Sequence, residues 1–175
     1  MTSHTDRPDK PNAQHTLPAS DSEPRVLGVP QHLLIACAPF GPRLSAATVA
    51  RAIAGGVRDG GLPEPDVCLL PAPGKDGEDG EHVRRLLDEL DFDERMRRAR
   101  AVVVGAERLE ERTLAGSVTF EIATRARQGG VPAYAVTAHN ALSAFDARIL
   151  DLQLILEARS GAALVSAGLK LAGLA

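Results

Sequence analysis

Short apolar runs alternate with helical segments from His32 onward, and this alternation constrains the fold more than any other feature of the chain. The run LLIAC at Leu33–Cys37 is continuously apolar, which is typical of a strand buried on both faces of a parallel sheet. Further strands are predicted at Asp66–Leu70, Ala101–Val104, Pro132–Thr137 and Leu152–Glu157. Helices are predicted at Ala46–Val57, Glu81–Leu90, Phe92–Ala99, Leu114–Arg127 and Ala162–Ala172. The sequence therefore predicts an α/β fold with a single doubly wound, mostly parallel sheet and helices on both faces.

Capping signals set the ends of two of these helices. Ser45 is placed as the N-cap of the first helix, and Gly60-Gly61 follows its last turn. Thr113 is expected to cap the fourth helix, which Gly129-Gly130 closes.

The chain divides into a tail and one domain. Its 175 residues fit a single domain of ordinary size. Residues 1–31 are mostly polar and contain Pro8, Pro11, Pro18, Pro24 and Pro30. Such a segment buries too little apolar surface to offset the entropy lost on ordering. We predict a disordered tail at residues 1–31 and an α/β domain at residues 32–175.

Charge and composition exclude several classes of protein. A net charge of −3 offers no basic face for nucleic acid. No signal peptide and no long apolar run is seen, so we expect a cytoplasmic protein without membrane contact. Cys37 and Cys68 lie in predicted buried strands at a spacing that fits neither a metal motif nor a disulfide framework. We expect them to be core residues in a reducing compartment.

The region of residues 81–100 combines apolar and basic residues. Leu86, Leu87, Leu90, Phe92 and Met96 are more apolar side chains than two short helices readily bury, which predicts an exposed patch and a homodimer. The alternative is that they cap the core. The basic residues are Arg95, Arg97, Arg98 and Arg100. They are expected to form ion pairs on a solvated face, with an anion or partner site as the alternative.

Two segments carry a family resemblance. VVVGAERLEERTLAG at Val102–Gly116 and LLIACAPFGPRLSA at Leu33–Ala46 resemble signature segments of bacterial type I glycerate kinases. The family typically reads TGEGRLDEQTLAGK and IAPDSFKGSLSA there. LLPAPGKDGEDGEHV at Leu69–Val83 is similar to a third family segment. The resemblance spans Leu33 to Ala175, with the family's long central domain absent between the two signatures.

The resemblance implies a Rossmann-like half of a glycerate kinase, with ATP-dependent phosphorylation of glycerate and with ATP and magnesium as cofactors. By family position, Ser45, Arg108, Glu110 and Glu111 would bind substrate. In the same way, Asp76 and Gly105 would bind the cofactor.

This chain also departs from the family pattern. It has Ala38-Pro39 where the family has Asp-Ser, and Gly41 where the family has Lys. A potential base and a phosphate-binding cation are thereby lost, so no catalytic residue is assigned. The alternative is a catalytically inactive paralogue that binds a small anion or another protein.

The loops that follow the strands are the expected ligand site, because parallel sheets bind ligands beyond the carboxyl ends of their strands. These loops are predicted at Ala38–Leu44, Ala72–Gly80, Ala106–Glu111 and Ala138–Phe145. They contain neither a dinucleotide fingerprint nor a phosphate-binding P-loop motif. Arg108 either grips a carboxylate or phosphate, or pairs with the neighbouring glutamates at a helix entry.

Two further groups of polar residues lie in these loops. Asp76, Glu78, Asp79 and Glu81 supply the oxygen ligands that magnesium prefers, but a solvated mobile loop is the favoured interpretation. Thr137, His139, Asn140 and Ser143 follow the fourth strand. His139 could titrate near neutral pH, whereas a surface or capping role is favoured for a single loop histidine.

Overall fold

A computed structural model describes residues 1, 32–73, 79–111 and 116–174, which contain one five-stranded sheet in the order β2-β1-β3-β4-β5. The strands are β1 (Leu33–Cys37), β2 (Asp66–Leu69), β3 (Ala101–Leu109), β4 (Ala133–Asn140) and β5 (Leu152–Glu157). Every neighbouring pair is parallel. The predicted α/β fold is confirmed, and the sheet is parallel throughout. The predicted tail, apart from Met1, lies outside the described residues.

Six helices accompany the strands in the described part of the chain. They are α1 (Ala46–Asp59), α2 (Gly80–Glu89), α3 (Phe92–Arg98), α4 (Val118–Gly129), α5 (Ala144–Ile149) and α6 (Gly161–Ala172). Successive side chains of β1 point to opposite faces of the sheet. Leu33 and Ile35 pack in a core beneath α1 and α6, and Leu34 packs in a second core beneath α2, α3 and α4. The sheet is therefore covered on both faces, as predicted.

Glycines allow α1 and α6 to pack closely. A β-carbon on Gly56 would lie 1.9 Å from the backbone oxygen of Val165, and one on Gly168 would lie 2.1 Å from that of Ile53. Only a residue without a side chain fits at either position. The two helices are thus held together through their backbones.

Hydrogen-bonded caps define the starts of α1 and α4. Ser45 is the N-cap of α1, as predicted, and its hydroxyl accepts from the Thr48 N–H at 3.2 Å. The prediction for α4 was wrong: the helix begins at Val118, where the Ser117 hydroxyl accepts from the Phe120 N–H at 3.1 Å. Thr113, the expected cap, lies outside the described residues. The C-cap of α4 is Gly130, as predicted, in the left-handed region at φ 67°.

The strands β3 and β4 are longer than predicted. Arg108 pairs with His139 and Leu109 with Asn140, so parts of two predicted loops belong to the sheet. The Thr137 hydroxyl donates to the backbone oxygen of Glu107 at 3.1 Å and supports this extension. Both segments contain polar residues and no continuous apolar run, so the sequence does not indicate these strand ends.

A short helix, α5, was also missed; it begins at the end of the predicted loop Ala138–Phe145 and continues to Ile149. A capping box starts it: the Ser143 hydroxyl accepts from the Asp146 N–H at 3.1 Å, and Asp146 accepts from the Ser143 N–H at 3.1 Å. The helix buries none of its residues, so it lacks the apolar periodicity of a helix packed on the core.

The prediction of an exposed apolar patch at residues 81–100 is wrong. Phe92 and Leu87 are fully buried and Met96 is 4% exposed, because these side chains pack under α2, α3 and α4 as part of the second core. The basic residues of the same region do form ion pairs: Arg98 pairs with Glu94, and Arg95 with Asp66.

Candidate functional site

The carboxyl ends of the five strands meet at one edge of the sheet, which we call the carboxyl edge. The described loops at this edge start at Ala38, Leu70, Glu110, Ala141 and Ala158. The point where the strand order reverses lies between β1 and β3, since the chain passes from β1 to β2 on one side and to β3 on the other. Ligands of doubly wound sheets bind beside such a reversal.

Arg108 and His139 are neighbours at this edge. They are register partners near the ends of β3 and β4, and paired residues of adjacent strands project from the same face of a sheet. Val102 and Val104 of β3 pack into the core under α2 and α4. Alternation along the strand therefore places Arg108 and His139 on that same face.

The Arg108 guanidinium is partly paired and partly free to bind. Its Nη2 lies 3.6 Å from Oε2 of Glu110, and the Arg108 side chain is 50% exposed. Glu111 is exposed. The expected ion pair with a neighbouring glutamate is thus present, but it is long and leaves half of the arginine side chain open to solvent.

Glu107 contacts the loop after β1. A β-carbon on Gly41 would lie 2.9 Å from Oε1 of Glu107, so this carboxylate rests on the glycine. Gly41 has φ 65°, a conformation that side-chain-bearing residues rarely adopt. The lysine that the family has at position 41 would therefore be strained in this loop. A negative charge occupies the space beside the reversal point.

The amino ends of α2 and α4 lie side by side near the carboxyl edge. A β-carbon on Gly80 would be 3.5 Å from the α-carbon of Gly116 and 3.8 Å from Nη1 of Arg84. The N-caps are Asp79 and Ser117. The two helix dipoles favour negative charge here, and the carboxylates of Asp79 and Glu81 at the start of α2 and of Glu121 in the first turn of α4 already supply it.

The other predicted site residues have local roles. The Ser45 hydroxyl caps α1 by accepting from the Thr48 N–H, and it lies 2.9 Å from the Thr48 hydroxyl. Gly105 is buried within β3, where a β-carbon would come 2.4 Å from Sγ of Cys37, so its position is explained by packing. Asp76 lies outside the described residues.

Arg159 is a charged residue of this edge that the sequence analysis missed. It lies two residues after the end of β5, and its Nε donates to the backbone oxygen of Ala138 at 2.9 Å while Nη2 contacts Glu157 at 3.1 Å. Its place two residues beyond a predicted strand end was the signal that could have revealed it. It adds a cation beside the end of β4.

The two thiols are embedded in the sheet. Burial raises the pKa of Cys37 to about 12 and also raises the pKa of Cys68. Both stay protonated at neutral pH, which suits core residues. Among the described residues, no three His, Cys, Asp or Glu side chains lie close enough together to hold a metal ion.

Comparison with known proteins supports the family resemblance. Residues 81–165 match the glycerate kinase family. The resemblance predicted from the signature segments is therefore confirmed over this part of the chain. The matched segment runs from α2 into α6 and includes Arg108, Glu110 and His139.

The structural comparison gives a distant match. A crystal structure of a Burkholderia pseudomallei protein, described as pilus assembly-related, aligns with 21% identity and a TM-score of 0.46, covering 83% of this chain and 90% of that one. No curated protein matches the chain. In the described part of the chain, none of the helices has the length and apolarity needed to cross a membrane.

Proposed function

We propose that this glycerate kinase-like domain binds a small carboxylate or phosphate ligand at the carboxyl edge of its sheet and does not itself transfer a phosphoryl group. The observation that carries the proposal is the register pairing of Arg108 with His139 at the ends of β3 and β4. A guanidinium and an imidazole on one face of the sheet form a suitable surface for a small anion.

The ligand contacts follow from the chemistry of these groups. Arg108 presents a planar fork that bonds both oxygens of a carboxylate or phosphate, and its 3.6 Å contact with Glu110 is weak enough to be exchanged for a ligand. His139 donates a hydrogen bond from a ring nitrogen. The ligand would thus be held on the α2 and α4 side of the edge.

The end of β1 argues against phosphoryl transfer. Ala38 and Phe40 are buried and apolar, and Gly41 adopts a conformation unsuited to lysine. Loss of a general base costs about 10²–10⁴ in rate, and loss of an electrostatic clamp costs about 10²–10³. The proposal therefore assigns binding without turnover and uses neither a metal nor a nucleotide.

Isothermal titration calorimetry with glycerate, phosphoglycerate and ATP tests the binding site. Arg108→Ala should weaken binding of the preferred ligand by about 1.5–3 kcal/mol, the usual value of a hydrogen bond to a charged group. Arg100→Ala is the matched control, because Arg100 is exposed just before β3, at the opposite end of that strand. Equal affinities of wild type and Arg108→Ala would place the site elsewhere.

Phosphorylation of glycerate is the second candidate function, favoured by the family match over residues 81–165. An ATP-consumption assay with D-glycerate and magnesium distinguishes the two. We expect no turnover above background. Turnover comparable to that of an intact family member, abolished by removal of magnesium, would establish a kinase and contradict the proposal.

A further inference from the structure

One hydroxyl group lies fully buried in the sheet beside the candidate ligand site. Thr137 of β4 has none of its surface exposed, and among the described residues only Thr119, 4% exposed, is another buried polar side chain. A hydroxyl that is removed from water needs hydrogen-bond partners within the protein. The partners of Thr137 therefore indicate what this group does in the fold.

These partners belong to the strand ends that carry Arg108 and His139. The Thr137 Oγ1 donates to the backbone oxygen of Glu107 at 3.1 Å and accepts from the His139 N–H at 3.3 Å. The backbone oxygen of His139 is a second acceptor, also at 3.1 Å. The Glu107 oxygen is part of the peptide group that joins Glu107 to Arg108. One side chain thus bonds to the peptide group before Arg108 and to the peptide group before His139.

The pairing of β3 with β4 is incomplete at the same place. Glu107 and Ala138 are not register partners, although the residues before and after them are. Arg108 and His139 form the next pair toward the carboxyl edge. Because backbone pairing fixes one strand against the next, a missing pair leaves the residues that follow less firmly placed. The Thr137 hydroxyl joins the two strands at this step.

Thr137 is itself firmly held. Its backbone oxygen accepts from the Ala158 N–H at 2.7 Å. It is the register partner of Ala106 on β3 and of Glu157 on β5, so strands on both sides fix its position. A side chain that is locked in this way can support neighbours that contact a ligand.

We propose that Thr137 is the positioning residue of the candidate anion site formed by Arg108 and His139, because its hydroxyl holds together the two strand ends that carry them. The consequence for ligand binding rests on the proposed function, whereas the effect on the strand ends does not depend on a ligand. Thr137 is fully buried and cannot contact the anion. Removal of its hydroxyl should therefore weaken binding although every group that contacts the anion remains.

Two variants separate the hydroxyl of Thr137 from its methyl group. Thr137→Val replaces the hydroxyl with a methyl group, and Thr137→Ser keeps the hydroxyl and loses the methyl group. In calorimetry with phosphoglycerate, Thr137→Val should bind about tenfold more weakly than wild type, and Thr137→Ser should bind as wild type does. Thr119→Val is the matched control, because it removes a buried hydroxyl from α4, and it should leave the affinity unchanged. Equal affinities of wild type and Thr137→Val overturn the proposal.

A double variant distinguishes positioning from a general loss of stability. If Thr137 acts through Arg108, Thr137→Val should weaken binding much less in the Arg108→Ala background than in wild type, because the effects of coupled residues do not add. Additive losses overturn the positioning role. If Thr137→Val does not fold, Thr137→Cys takes its place, since a thiol is a weaker hydrogen-bonding group than a hydroxyl. Equal affinities of the Ser and Cys variants then overturn the proposal.

Amide NMR tests the positioning without a ligand. In Thr137→Val the amide resonances of Arg108 and His139 should shift and the His139 N–H should exchange faster with solvent, while Thr137→Ser should keep the wild-type values. Unchanged resonances and exchange rates in Thr137→Val overturn the proposal, even where phosphoglycerate binds. If the wild type binds no anion, the proposed function fails, and the amide measurements alone decide whether Thr137 positions the strand ends.

Discussion

The guanidinium of Arg95 holds the carboxylate of Asp66 with two hydrogen bonds, from Nε to Oδ2 at 2.8 Å and from Nη2 to Oδ1 at 2.7 Å. Nη2 also donates to the backbone oxygen of Val67 at 2.7 Å. The pair ties α3 to the edge strand β2 across 29 residues of sequence. Two parallel bonds fix both partners more firmly than a single contact between exposed side chains does.

This pair should make stability depend on pH in the acid range. The hydrogen bonds from Arg95 hold the pKa of Asp66 below its ordinary value, against the opposing effect of burial. The stabilisation is complete above the ordinary pKa of about 4 and is lost as the pH falls through the lower pKa of the folded state. Asp66→Asn should therefore reduce stability at neutral pH and lose less of it on acidification than wild type does.

Urea unfolding at a series of pH values measures this dependence. Glu94→Gln is the control, because Glu94 pairs with Arg98 on the same helix but at an exposed position. Its removal should alter the profile little, since exposed pairs contribute about 0–1 kcal/mol. Parallel acid profiles for wild type and Asp66→Asn would show that the pair does not stabilise the fold.

The sequence predicted the fold well where apolar runs and caps coincide. β1 and β5 have their predicted bounds, and Ser45 caps α1, because a buried run and a side-chain cap each leave a local signal. The ends of β3 and β4 were missed because pairing between distant strands, such as Arg108 with His139, determines them. α5 was missed because a six-residue helix with no buried side chain has no apolar period to detect.

The site was only partly predictable for a related reason. The family resemblance named Arg108, but its neighbour His139 came from another loop, and only the sheet register shows that they are adjacent. The contact of Glu107 with Gly41 joins two segments far apart in the chain. Gly105 matched the family letter, and its packing against Cys37 accounts for a glycine there without a ligand.

The thiols should be unreactive in the folded protein. Burial raises the pKa of Cys37 to about 12, and the thiolate is the reactive form. At mildly alkaline pH, iodoacetamide should label neither Cys37 nor Cys68 in the native state and both after unfolding in urea, as mass spectrometry would show. Labelling of Cys37 faster than global unfolding would reveal local opening of β1.

Gly105 should be intolerant of a side chain because of Cys37. The β-carbon of Gly105→Ala would lie 2.4 Å from Sγ and 3.2 Å from Cβ of Cys37. We expect a loss of about 1–3 kcal/mol, as for other overpacked cores, measured by urea unfolding. Combining it with Cys37→Ala removes the sulfur and should recover most of this loss. If the double variant were no more stable than Gly105→Ala alone, the clash with sulfur would not be the cause.

Gly56 and Gly168 should matter for a different reason, since the obstacle is backbone and cannot rotate away. Gly56→Ala sets a methyl group 1.9 Å from the Val165 oxygen, and Gly168→Ala sets one 2.1 Å from the Ile53 oxygen, so α1 and α6 must separate. Each substitution should lower the free energy of unfolding by about 3 kcal/mol, near the upper end for overpacking.

Gly55→Ala is the matched control on α1, because nothing lies within 4 Å of its β-carbon. It should stabilise the protein by about 0.5–1 kcal/mol, the helix preference of alanine over glycine. Thermal unfolding measures both variants. If Gly56→Ala were as stable as Gly55→Ala, the close approach of the two helices would be contradicted.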